Sequence, residues 1–393
     1  MPQTQFDVVI AGGAVVGSAV AYFLTADAGF KGSVAVIEPD PTYQHCATAL
    51  SAASIRHQFS TEENIRMSRF GTEFLRTFAD ALAVDGIRPD PAFHEGGYLF
   101  LATSAGLPVL QDNHALQRRE GADVALLDAA ALQARFPWLR TGDLAAGSLG
   151  LSGEGWLDAY GLLQGLRRKA VAQGAVYLPQ RVAGIDRVSA RVTGVRLDDG
   201  QVLACGALVN AAGVGAPALA RLAGIDLPVQ ARKRSVFYVQ CPERLPGCPM
   251  VIDPSGAYFR PEGPGFITGI APPPDQDPEC FDFEVQHTLF EDVLWPLLAQ
   301  RVPAFEALRC VRSWAGHYDM NLVDQNVILG LHPSLDNLYF ANGFSGHGLQ
   351  QAPAVGRALA ELIVHGEYRT LDLARLGWRR ILEGRPVIEK NVV

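Results

Sequence analysis

Apolar positions along the chain change their period several times, and each change marks a different kind of element. Residues 6–11 are apolar except for Asp7 and rich in β-branched side chains, the pattern of a strand buried on both faces. Gly12 and Gly13 interrupt that run. Val16, Ala19, Val20, Phe23 and Leu24 then recur at helical spacing, and Gly29 and Gly32 punctuate the helix end. A second apolar run, "SVAVIEPD", closes on Glu38. Residues 39–60 are rich in small and hydroxyl side chains, too polar for a strand and weakly helical, whereas 62–83 have helical spacing. "GGYLFLAT" and the stretch 147–175 read as strand, turn and helix. Residues 181–209 read as consecutive short strands with a hairpin turn at Asp199 and Gly200.

The block from 226 to 320 has a different character. It holds many of the prolines, hairpin-like strands ("SVFYVQCP", "GAYFRPEGPGFITGI") and an amphipathic helix expected over 284–301. From 321 onward the order is strand, loop, strand, glycine-rich turn and long helix. No repeat or flexible linker separates the blocks. The expectation is a discontinuous nucleotide lobe from 1–80, 151–225 and 321–393, with a second lobe from 81–150 and 226–320 inserted into it.

Residues 8–26 carry no formal charge over 19 positions, long enough to cross a bilayer. A strand, a glycine turn, a helix, a second strand and then an acid explain the same stretch better. Glu38 lies 21 residues beyond Gly17, near the distance at which an acid meets the ribose hydroxyls of an adenine dinucleotide. The GxGxxG fingerprint is present with one miss, Ala14 standing between Gly12 and Gly17 where backbone and pyrophosphate approach closely. An acid at 38 argues against a 2′-phosphorylated cofactor and leaves NAD and FAD both open.

Composition narrows the function classes. A net charge of −8 and a pI near 5.6 disfavour nucleic acid or an anionic membrane as partner. The six cysteines form no CxxC pair, so neither a zinc site nor a redox dithiol is indicated and no metal is expected. No cation precedes the first apolar run, so a secretory signal is not expected, and the reading is a cytoplasmic chain without a membrane span.

Three pieces coincide: "VVIAGGAVVGSAVAYFL…VIE", "LVNAAGVGAPAL" and "LYFANGFSGHGLQQAPAVGRALAELI". Together they resemble the D-amino-acid oxidase superfamily of flavoproteins, which includes glycine oxidase, sarcosine oxidase and dimethylglycine dehydrogenase. "TALSAASIRHQFSTEENIRMSRFG" is most similar to its branch of FAD-dependent oxidoreductase domain-containing proteins. The resemblance implies an α/β chain with an α+β second lobe: a Rossmann-type FAD-binding domain with an inserted antiparallel-sheet substrate domain. It also implies oxidation of the C–N bond of an amino acid or N-substituted amino acid by hydride transfer to flavin N5. The imine product then hydrolyses.

The family's cofactor contacts fall on this chain as follows. Gly12, Gly13, Ala14, Val15, Val16 and Gly17 match the pyrophosphate turn, and Glu38 the adenosine ribose contact. Thr48, Ala49, Leu50 and Ser51 match the loop along the phosphates and ribityl chain. Val182 matches the adenine contact, and Ala211, Ala212 and Gly213 a second turn against the dinucleotide. Gly343, Gly346, His347, Gly348, Leu349 and Gln350 match the segment under the pyrimidine edge. A helix starting near Leu349 would point its positive end at the flavin region where charge accumulates on reduction.

Two family positions differ. The cysteine that carries covalent flavin in sarcosine oxidase-like enzymes corresponds to Gly316, Cys310 sits too early, and neither His45 nor His57 has the context of a histidine attachment, so FAD is expected to be non-covalent. The lysine that assists reaction with O2 corresponds to Ile267, which leaves O2 and a quinone or other electron carrier both open as acceptors. For a substrate carboxylate, a planar arginine fork is the natural clamp, with Arg56 and Arg260 the candidates. Tyr258, His57, His317, Tyr318 and His347 are candidates for further contacts. Two alternatives stay open: an FAD-binding assembly protein without turnover, and oxidation of a 2-hydroxy acid on the same fold.

Overall fold

The computed structural model describes residues 3–391. One eight-stranded sheet has the central order Ile328–Leu331, Leu338–Asn342, Val202–Asn210, Gln5–Ala11, Val34–Ile37 and Val176–Leu178. The strands Gln5–Ala11, Val34–Ile37 and Val176–Leu178 run parallel, as do Val202–Asn210 and Leu338–Asn342 beside them. The hairpin of Val182–Val188 and Arg191–Leu197 attaches to Val202–Asn210. Side chains of the first strand point alternately into two cores. Val8 and Ile10 face the helices Val15–Ala26, Ala159–Ala172 and Gly348–His365, while Val9 and Ala11 face the helix Ala216–Leu222 and the hairpin.

The second eight-stranded sheet has the order Arg309–Asn321, Val229–Gln240, Gly265–Gly269, Tyr258–Glu262, Met250–Ile252, Tyr98–Ala102, Ala146–Gly150 and Val124–Asp128. Only the Met250–Ile252 and Tyr98–Ala102 pair is parallel. One face packs on Phe237, Phe259, Phe266, Phe290 and Phe305; the other presents Tyr98, Val236, Tyr258 and Ile267 toward the first sheet. The helix expected from 284 begins at 287 and passes through a π-helical stretch, Leu289–Leu294, into Trp295–Arg301, while the residues just before 287 are irregular. Among the described residues no helix is long and apolar enough to cross a membrane.

The helices Val15–Ala26 and Gly348–His365 cross closely enough that a Cβ on Gly356 would lie 2.7 Å from Ala19 Cβ. Gly356→Leu is therefore expected to destabilise the protein by about 1–3 kcal/mol, read as a lower midpoint in denaturant with unchanged slope. An unchanged midpoint would show that this crossing is loose.

Candidate active site

The first strand ends at Ala11, and its continuation needs two backbone features that only glycine supplies easily. Gly12 has φ +100°, and a Cβ there would fall 2.3 Å from the carbonyl oxygen of Ala211. A Cβ on Gly17 would fall 1.8 Å from the Gly12 carbonyl oxygen. The chain can thus turn directly into the helix Val15–Ala26, whose N-terminus has no side-chain cap and no acid in its first turn. The Val15 N–H donates to Thr48 Oγ1 at 3.4 Å, and the N–H groups after it and the positive dipole end stay available to an anion.

These elements border a cavity of about 710 Å3, within the range of cofactor sites. Gly12, Ala14, Val15, Val16 and Glu38 line it, as do Thr48 and Ser51 from the following loop. Val182, Ala211, Ala212 and Gly213 line it from the neighbouring strands, and Gly346, Gly348 and Leu349 from the glycine-rich turn. Gly13, Gly17, Ala49, Leu50, Gly343, His347 and Gln350, also expected at the cofactor, are not among the residues that line this cavity. Glu38 does more than face the cavity: its carboxylate accepts from the N–H of Gly13 at 2.8 Å and of Asp40 at 2.9 Å. Burial raises its pKa, and those two N–H groups oppose the rise.

At the far end, the strand Leu338–Asn342 runs into Gly343 (φ +77°), Ser345 (φ +53°) and Gly346 (φ +93°). This turn delivers His347 as the N-cap residue of the helix Gly348–His365, one residue earlier than the sequence pattern suggested. His347 Nε2 lies 3.0 Å from Nη2 of Arg56. A guanidinium only donates, so Nε2 accepts and the imidazole proton sits on Nδ1. Burial and then the Arg56 charge hold the His347 pKa well below the usual histidine range.

Arg56 is buried, and its guanidinium also donates to the carbonyl of Gln58 at 3.0 Å and to that of Asn391. Its backbone N–H donates to Gln350 Oε1 at 2.8 Å. Three of five guanidinium donors are thus accounted for, and no carboxylate lies within ion-pair distance of Arg56 among the described residues. Arg260 differs. It donates to Ala52 O at 2.9 Å and pairs with the Glu262 carboxylate.

A small recess adjoins the main cavity and shares Ala47, Ser51, His317 and Tyr318 with it. Leu50, Ala52, Arg234, Val236, Tyr258 and Gly316 complete its wall, with Arg234 paired to the Asp277 carboxylate at 2.8 Å. A Cβ on Gly316 would sit 2.9 Å from Leu50 Cβ, so a cysteine side chain has no ready room there. Cys310 is exposed. Ile267 lies in the apolar face beside Tyr258 and Tyr98, with no cation in its place. His317 packs edge-on against Phe283 of the irregular segment at 4.5 Å, and its buried Nε2 has no partner. Burial lowers its pKa.

Neither Arg56 nor Arg260 is among the residues lining the cavity or the recess, and His57 is not brought there either. Its Nε2 lies 2.8 Å from Thr72 Oγ1, and that hydroxyl donates to Gly153 O at 2.9 Å. The hydroxyl must therefore accept from His57, which burial keeps neutral with a pKa pushed down to about 4. Two buried acids carried no motif that would single them out. Asp319, from the strand Arg309–Asn321, lines the cavity. Glu154 accepts from the N–H of His57 at 2.6 Å and from Gln58 Nε2 at 2.9 Å.

Burial pushes the Glu154 carboxyl up to about 7 from 4.5. Between those values the folded protein binds a proton that the unfolded chain has lost, so stability falls as pH rises through the window. The loss is at most about 3 kcal/mol. Glu154→Gln deprives one of the two donors of its acceptor, so it is expected to be less stable at pH 5 but to have a flatter stability profile up to pH 8. A parallel loss in both proteins would contradict this assignment.

The family described as FAD dependent oxidoreductase (DAO) matches residues 7–362. The chain is 42% identical to FAD-dependent oxidoreductase domain-containing protein 1 of Xenopus laevis, over all of this chain and 86% of that protein. It is 26% identical to mitochondrial sarcosine dehydrogenase of Mus musculus, over 93% of this chain and 40% of that protein. Among solved structures, L-proline dehydrogenase from P. horikoshii superposes with a TM-score of 0.86 at 26% identity, covering 98% of this chain and all (100%) of the other.

Proposed function

The chain belongs to the DAO family of FAD-dependent oxidoreductases, and from that premise we propose that it oxidises the C–N bond of an amino acid or N-substituted amino acid. The two glycine turns, the unfilled helix starts and the cavity between them fit FAD, and no thiol stands at the family's attachment position. Gly12, Gly13 and the first turn of Val15–Ala26 hold the pyrophosphate, Glu38 the ribose, and the turn at 343–348 the ring. Bound FAD supplies the two-electron acceptor that takes hydride from the substrate carbon next to nitrogen.

The single observation that carries the substrate reading is the buried Arg56 guanidinium with no carboxylate partner. A buried cation left without an acid is costly unless a ligand anion completes it. Arg56 is therefore the cation we assign to the substrate carboxylate, reached through its Nε–H or its second Nη1–H, because His347 and Asn391 already take both Nη2 hydrogens. Arg260, already paired with Glu262, supports the wall. His347, neutral and acceptor-bonded to Arg56, fixes the guanidinium plane. Tyr98, Val236, Tyr258 and Ile267 exclude water from the reacting carbon and favour an apolar substrate body. Relatives named for sarcosine and proline support a secondary amine.

An anaerobic screen of N-methyl amino acids, imino acids, D-amino acids and 2-hydroxy acids, followed by flavin bleaching, tests the reading. Bleaching by an amino acid with a secondary amine is expected. Bleaching by 2-hydroxy acids alone, or by nothing, overturns the reading; the second result favours an assembly role. With no cation at Ile267, the reduced protein is expected to reoxidise faster with a quinone or dye than with air. Rapid reoxidation by air would refute that part.

A further inference from the structure

Asp319 is nine-tenths buried and lines the flavin cavity, yet nothing in the hydride-transfer reading uses it. Its Oδ2 accepts from the N–H of Gly343 at 2.8 Å, and its backbone carbonyl accepts from the N–H of Ser345 at 3.1 Å. The carboxylate is thus fixed against the glycine-rich turn that opens onto the cavity. No cation compensates it. Among the described residues it forms no ion pair, and the charged or titratable groups on the elements around it are engaged elsewhere. On the paired strand Val229–Gln240, Arg232 donates to Gln230 and to the carbonyl of Asp277, Lys233 pairs with Asp282, and Arg234 pairs with the Asp277 carboxylate and lies over the Tyr318 ring. On its own strand, His317 packs on Phe283 and Tyr318 lies against Gly346. Beyond the turn, His347 accepts from Arg56.

We propose that Asp319 takes up a proton when the flavin is reduced, so that the site gains two electrons and two protons with no net change of charge. The balance has two parts. Oxidised flavin, two electrons and one proton give the anionic reduced ring; the Asp319 carboxylate and a second proton from solvent give the neutral acid. A fixed, uncompensated carboxylate beside a ring that becomes negative is the group that most favours such uptake. Burial already places the Asp319 carboxyl at about 6, with the N–H groups of Gly343 and Phe344 pulling the other way. A new negative charge nearby raises it further, into the range where solvent protons are available. The inference needs flavin in the cavity and is independent of which substrate reduces it.

The test is a spectroelectrochemical titration of the holoprotein and of Asp319→Asn, across pH values from below to above the Asp319 carboxyl's own. The asparagine keeps an oxygen to accept from Gly343. The wild type is expected to follow one proton per electron over a window that begins near that value. D319N is expected to follow half a proton per electron there, with the reduced flavin spectrum anionic in both. Reduced-minus-oxidised infrared spectra of protein carrying 13C-labelled aspartate give a second readout: a protonated-acid band that shifts with the label. Equal slopes in the two proteins overturn the proposal, as does a wild-type spectrum without the labelled band. Should D319N not retain flavin, the infrared result on the wild type decides alone.

Discussion

Gly12→Val is expected to emerge folded but largely without flavin, with FAD affinity reduced about ten- to a hundredfold or more. Gly12 holds φ +100°, a conformation that costs a β-branched residue about 1–3 kcal/mol, and each 1.4 kcal/mol is tenfold in affinity. The added side chain also meets the Ala211 carbonyl oxygen at 2.3 Å. Relief requires the turn at 12–14 to move away from the strand Val202–Asn210, and that turn is where the pyrophosphate must approach backbone N–H groups. Fluorescence titration of the deflavinated variant with FAD reads the effect. Wild-type affinity would show that this turn is not part of the cofactor site.

Arg56→Met is expected to lower kcat/KM for a carboxylate-bearing substrate by roughly a hundredfold or more. Methionine fills the volume between Phe59 and Phe100, which lie 4.2 and 5.1 Å from the guanidinium carbon, but offers no donor. Four effects combine: the substrate carboxylate loses its clamp, and His347 and the carbonyls of Gln58 and Asn391 each lose a donor. Two controls separate binding from damage to the fold. Arg56→Lys should recover part of the loss through its charge, although a point charge cannot reproduce a fork. An amine substrate without a carboxylate should be turned over equally by wild type and R56M. If R56M depresses both substrates alike, the arginine is structural and the clamp lies elsewhere.

The elements around the proposed nucleotide half of the site were legible in the sequence because they are local. Gly12, Gly17 and Glu38 are spaced by one strand–helix–strand unit, and the periodicity of Val16, Ala19, Val20 and Phe23 shows where the helix starts. The turn at 343–348 was legible for the same reason: glycines immediately before a long amphipathic helix have few other uses. The substrate half was harder. Arg56 and Arg260 are indistinguishable as letters, and only the fold shows that one is paired with Glu262 while the other meets no acid. His57 was adjacent to Arg56 in sequence yet points to Thr72, since alternate residues of an extended segment face opposite ways.

Asp319 and Glu154 went unnoticed because a buried acid looks in sequence like any surface acid. Their burial depends on contacts across distant segments, such as 319 with 343 and 154 with 57. The π-helical stretch Leu289–Leu294 likewise leaves no mark in the apolar periodicity. Tertiary placement decided the two acids.

The account rests on one flavin nucleotide held, without a covalent bond, between two helix starts. Its most direct test is the absorption spectrum of the purified protein, followed by acid precipitation and a spectrum of the supernatant. The account predicts a yellow protein that releases one FAD per chain into the supernatant and leaves a colourless pellet. A folded, colourless protein that takes up no added FAD would contradict it, and a pellet that stays yellow would contradict the non-covalent attachment.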